Sequence, residues 1–150
     1  MSGSVHSEPP AAWGNDRLSE YLENVRNNQF ATFVNKRSEV IDLVSIDQMF
    51  LKFLEGAINP KPFFPMGFLF RAHSAFRTAT GCVMAGQVYE SQAVLRMSLE
   101  QGAYAHYIGD DQARWKRWMS RHDSEASKQA VRSEFTQGKI KSHLLAAVND

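Results

Sequence analysis

Arg96 and Glu100 stand one helical turn apart inside AVLRMSLEQGAYAHYI, a run otherwise made of apolar and small residues. At that spacing the two side chains reach each other across one turn of a helix. Burying either charge alone would cost several kcal/mol, so they are expected to pair or each to find another partner. His73 and Arg77, also one turn apart, are candidates for a shared polar network with them. Two uses fit such a network. One is a buried Arg–Glu clamp that fixes helix register. The other is a polar pocket in which a carboxylate flanked by Arg and His handles a proton or an anion. The clamp is the leading reading.

Charge elsewhere is uneven. Net charge is +1 for the chain, but residues 112–143 hold eight Lys and Arg against three Asp and Glu. Arg114, Arg117, Arg121, Lys128 and Arg132 fall on one stripe of a helix over this stretch. Such a stripe is a solvated face or, with Lys139 and Lys141, a surface for nucleic-acid phosphates. On the other side of the same helix, Trp115, Trp118, Met119, His122 and Ala126 make a second stripe, with His122 a core-edge histidine. Metal chemistry has no footing here. His6, His73, His106, His122 and His143 are scattered, and none stands in a Glu-x-x-His arrangement. No metal or cofactor is expected. The single cysteine, Cys82, excludes an intrachain disulfide and fits a reducing compartment.

Helices must position these groups, because no useful window alternates with period two. A flexible leader is expected over 1–15, rich in Ser, Pro and Gly. Asn15 or Asp16 can cap a first helix carrying Leu18, Tyr21, Leu22 and Val25, weakened at RNNQ and able to resume through Phe30 and Phe33. A second runs from about 37 to 55 with Val40, Ile41, Val44, Leu51 and Leu54 as its buried stripe. The prolines of NPKPFFP end it, and Pro65 suits the first turn of the third. That third helix, about 66–86, lines Ala72, Ala75, Ala79 and Gly86 along one side. The fourth, about 88–107, is apolar on most of its circumference, which predicts a central position. A fifth is expected over 112–135, and Gly138 separates a last piece bearing Leu144, Leu145 and Val148. The predicted fold is all-α: a bundle of five or six helices over 16–150, one domain, with 66–86 and 88–107 as the central antiparallel pair. KIKSHLLAAVND stops without a following element, which fits the N-terminal part of a longer protein.

RMSLE at 96–100, then YAHYI, an Asp-containing break and ARWKRW at 113–118 form a recognisable series. Over residues 65–125 it resembles a helical prokaryotic family of unknown function, itself similar to the HEPN superfamily of all-α nucleotide-binding bundles. That resemblance implies a helical bundle. Many HEPN proteins are metal-independent ribonucleases that act as dimers in toxin and phage-defence systems, with an Arg followed by a His four to six residues on. Arg117 and His122 in RWMSRH have that spacing. By the resemblance, His122 would do acid–base chemistry and Arg117 would stabilise phosphate charge. Trp118 stands where the motif usually has a small polar residue. On an unbroken helix, residues five apart also point about 140° apart.

The sequence therefore supports an interaction or structural domain first. A ribonuclease and a nucleic-acid-binding module are the alternatives. A homodimer through exposed Trp and Phe, RNA as a partner, no membrane and a cytoplasmic location complete the expectations. The longest apolar run, FFPMGFLF, is too short to span a bilayer.

Overall fold

The computed structural model describes residues 9–59 and 63–149, without the side chain of Phe64. The expected leader up to residue 8, with His6, and the centre of the proline loop lie outside those residues. The helices in chain order are α1 (Arg17–Asn35), α2 (Arg37–Gly56), α3 (Phe64–Met84), α4 (Val88–Gly109), α5 (Gln112–Met119), α6 (Glu125–Glu134) and α7 (Gln137–Asn149). Among the described residues there is no strand, and no helix is long and apolar enough to cross a membrane.

Local chemistry explains most boundaries. Asp16 caps α1 by accepting from the backbone N–H groups of Leu18 and Ser19. Before it, turns from Pro10 to Asn15 bring the Trp13 indole N–H within 3.0 Å of Glu23 Oε2. Pro65 sits in the first turn of α3, as its fixed φ favours. Gly86 lies just past the end of α3 at φ +86°, a conformation that disfavours side chains. There the Gly86 N–H bonds Val83 O and the Gln87 N–H bonds Cys82 O, closing the helix with a Schellman motif. Gly86 is thus the hinge of the α3–α4 hairpin and not part of the small-residue side of α3.

α3 and α4 form the most extensive pairing, antiparallel, as expected. Ala72, Ala75 and Ala79 are buried against α4, and Ser91 and Ser98 are buried on α4 in return. Small side chains bring the helices close enough for Ser98 Oγ to donate to Ala72 O at 2.8 Å. α2 packs along α3, and α1 closes the hairpin end, where Gln29 and Thr32 donate to Gly81 O and Met84 O. At the opposite end Tyr107, Ile108, Phe135 and Ile140 make the main core cluster, with Phe68, Tyr104, Trp115 and Trp118 packed around it.

Ile41 and Val44, expected in the buried stripe of α2, are exposed. Two further expectations change. The single helix over 112–135 is two, so the described residues form seven helices. Ser120 to Asp123 turn the chain, and Ser124 caps α6 by accepting from the Ser127 N–H at 3.0 Å. Asp123-Ser124 before Glu125 was the sequence signal for that break. The chain breaks again at Phe135, and Gly138 falls inside α7. Second, α4 is not enclosed: Val88, Tyr89, Leu95, Met97 and Leu99 are exposed.

Candidate functional site

The polar network lies between α2 and α3, away from the Arg96–Glu100 pair. His73, Arg77, Thr80 and Met84 fall on one stripe of α3, facing Val40, Leu43, Asp47 and Phe50 of α2. Asp47 is the hub. Its Oδ1 lies 2.6 Å from His73 Nε2 and 2.7 Å from Arg77 Nε, and its Oδ2 accepts from an Arg77 terminal nitrogen at 2.9 Å. Arg77 is therefore bidentate, the strongest geometry for an Arg–carboxylate pair. Hydrogen bonds from Arg77, then one from His73, overcome burial and hold Asp47 down to about 2, and Arg77 is raised in return. A carboxylate ionised to that pH only accepts, so His73 Nε2 donates.

His73 is buried to 6% exposure and stacks on Phe50 at 5.0 Å between ring centroids. The imidazole is sealed against α2, which suits a clamp and not a base that must meet substrate. Beside it opens a groove of about 250 Å³, lined largely by Phe33, Val40, Leu43, Val44, Phe76 and Met84. Thr80 Oγ1 is buried at this groove without a hydrogen-bond partner.

Arg96 and Glu100 do pair, Nε to Oε1 at 2.9 Å. The clamp is not buried, however: their side chains are 74% and 47% exposed. α4 is rotated so that its serines face α3, and the stripe of Tyr89, Ala93, Arg96, Glu100, Ala103 and Tyr107 becomes covered only towards its C-terminal end. Nor do His73 and Arg77 join the pair, because Asp47 engages both.

Around the core cluster, Glu134 gathers what the sequence presents as a basic face. Tyr107 Oη donates to Oε1 at 3.0 Å and Arg117 donates to Oε2 at 2.8 Å. Arg114 Nε and Lys139 Nζ stand 3.7 and 3.6 Å away. Burial pushes the Glu134 carboxyl up, but the Tyr107 hydrogen bond and the charges of Lys139, Arg117 and Arg114 outweigh it and leave it below its ordinary value. Burial first, then Glu134, raises the Tyr107 phenol. Arg114 lies 4.0 Å over the Tyr107 ring, Arg121 5.0 Å over Trp118, and Lys128 pairs with Glu125 at 2.5 Å. The five basic residues are thus divided between two helices and a turn. Arg132 is exposed and outside these contacts.

His122 is exposed in the turn after α5. Arg117 and His122 no longer share a helix, so the fixed divergence of an unbroken helix does not apply to them. Tertiary folding also joins two histidines that are distant in sequence: the His106 and His143 rings are 5.1 Å apart. His143 Nε2 lies 3.2 Å from Asp110 Oδ2, yet it has no properly aligned hydrogen bond. No group of three His, Cys, Asp or Glu among the described residues could hold a metal ion.

Sequence reasoning missed Asp47 and Glu134. The signal for Asp47 was a lone acid among apolar residues at helical spacing, with Leu43 and Phe50 on either side. Glu134 had no such mark, because its partners come from α4, α5 and α7. Compared with family models, curated proteins and solved structures, the chain matches none.

Proposed function

We propose that this chain is a protein-interaction module whose uncovered helix faces are completed by another polypeptide. The observation that carries the reading is surface. Among the described residues, large apolar side chains of α1 and α2 face outward. Leu18, Phe30, Val34, Met49, Phe53 and, on α4, Leu99 are all more than half exposed. Phe30 and Val34 stand one turn apart on α1, and Met49 and Phe53 one turn apart on α2, so exposed apolar groups adjoin on single helix faces, as at surfaces that meet a partner. The tryptophans of α5 do not contribute, since Trp115 and Trp118 pack around the core cluster; the exposed phenylalanines do. The clamps at Asp47 and Glu134 hold the helices that present these faces. One cysteine, Cys82, suits a cytoplasmic setting.

Sedimentation velocity against concentration, with dye binding to apolar surface in parallel, tests the reading. Expected is self-association, or strong dye binding by a folded monomer. A monomer that binds no dye sinks it.

A second reading, RNA binding, has its own support. Lys116, Arg132 and Lys141 are exposed and outside the ion pairs found among the described residues. The ribonuclease form of it draws less support, because Glu134 engages Arg117.

A further inference from the structure

We infer that the groove between α2 and α3 binds a small apolar acid of roughly ten non-hydrogen atoms, its carboxylate received by Arg37 and the Thr80 hydroxyl. This site is of a different kind from the helix faces assigned to a polypeptide partner, and it does not depend on them.

Size and lining set the body of the ligand. Val40 and Phe76 are buried in the lining, while Phe33 and Val44 stand half exposed. A cavity of about 150 Å³ holds benzene, so this groove, at about 250 Å³, takes an aryl or medium-chain alkyl group of roughly ten heavy atoms.

The polar groups set its head. Thr80 lines the groove, and its Oγ1 is buried without a hydrogen-bond partner. A helical threonine ordinarily returns its hydroxyl to the backbone one turn earlier, as Thr78 does to Ser74 O at 3.0 Å. Thr80 makes no such bond, which leaves an unspent donor whose desolvation is uncompensated. Rotation about χ1 exchanges that hydroxyl with the methyl group and presents it to a ligand. Arg37 supplies the charge. Its guanidinium carbon lies 4.4 Å over the ring of Phe33. The adjacent acid, Glu39, is taken by Lys36 and Ser38. Asp47 also lines the groove, but its carboxylate is spent on His73 and Arg77, and Arg77 balances its charge. The positive charge of Arg37 and the donor on Thr80 are therefore left over. An anionic acceptor satisfies both, whereas a cationic ligand meets repulsion.

The test is a titration of the whole chain with octanoate, followed by backbone amide shifts in nuclear magnetic resonance. 1-Octanol and octylammonium serve as neutral and cationic probes of the same length. Octanoate is expected to saturate the site at about 0.1–1 mM, with the shifts gathered on Phe33, Val44, Phe76 and Thr80. It should bind at least about fivefold more tightly than 1-octanol, and octylammonium should bind more weakly than either. Arg37→Gln should remove most of that preference and leave 1-octanol within about twofold of its wild-type affinity. Thr80→Val should weaken octanoate about threefold. Val44→Trp fills the groove and should abolish binding with helicity kept; if that variant does not fold, the wild-type shifts still locate the ligand. No binding by any of the three probes overturns the site. Shifts spread along the exposed faces of α1, α2 and α4 also overturn it, because the probe then coats apolar surface. Equal affinity for acid and alcohol, or a preference that survives Arg37→Gln, overturns an acid as the ligand.

Discussion

Replacing Asp47 by Ala removes one carboxylate that serves two partners of different burial. His73 Nε2 loses its acceptor inside the protein, and an orphaned buried donor costs about 1–3 kcal/mol. Arg77 loses a bidentate partner but is half exposed, so that pair is worth about 0–1 kcal/mol. The expected loss is therefore about 1–4 kcal/mol, centred near 2 kcal/mol, or roughly 4–8 °C in Tm at that centre for a domain of this size. Acid titration gives an independent measure. Asp47 falls from 3.8 to about 2, which at 1.36 kcal/mol per pH unit is about 2 kcal/mol at most, and ~1–2 kcal/mol once solvent screening is allowed for. A lowered carboxylate pKa stabilises fully above the unfolded value and loses that stabilisation as pH falls through the folded one. The gap between wild type and Asp47→Ala should thus be full above about pH 4 and shrink towards pH 2. Urea unfolding followed by circular dichroism across this range measures it. A loss below about 0.5 kcal/mol at pH 7, or a gap that persists unchanged at pH 2, would refute the clamp. Glu100→Ala is the contrast. Its exposed partner leaves at most about 0.5 kcal/mol at stake, so urea unfolding should barely register the change.

Among the described residues Ile108 is the one large side chain fully withdrawn from solvent, at 0% exposure, so Ile108→Ala should cost about 2–5 kcal/mol in urea unfolding. A loss under about 1 kcal/mol would mean that α7 does not seal the cluster as described. Gly86→Ala places a Cβ at φ +86° in open space, so a loss of about 1 kcal/mol is expected from backbone strain alone, with α3–α4 packing unchanged by near-ultraviolet circular dichroism. RNA affinity, if present, should fall steeply with salt and drop with Arg132→Ala and Lys141→Ala together; salt-independent binding would contradict a phosphate interface. Structured RNA incubated in EDTA should remain intact with wild type. Cleavage that disappears in folded His122→Ala would instead favour the ribonuclease reading.

Local chemistry, which the sequence carries by itself, determined the all-helical class, the Asp16 cap, Pro65 opening α3, and the paired α3 and α4 with their alanine contact. Each depends on residues within a few turns of one another, so spacing and capping preferences suffice to find them. The break at Ser120–Ser124 was written there too, in an Asp-Ser cap passed over because the apolar spacing of Trp115, Trp118 and His122 ran on across it. Rotation about a helix axis was not. Whether Arg96 and Glu100 face α3 or water depends on which side of α4 the small serines bring against Ala72 and Ala75. An apolar residue at every angle of the wheel leaves that choice open. Asp47 meeting His73 and Arg77, and Glu134 collecting Tyr107, Arg114, Arg117 and Lys139, are likewise decisions of tertiary structure. In each, a buried or half-buried charge takes whichever opposite charges the packing of separate helices brings within about 3–4 Å, and no spacing along the chain encodes that distance.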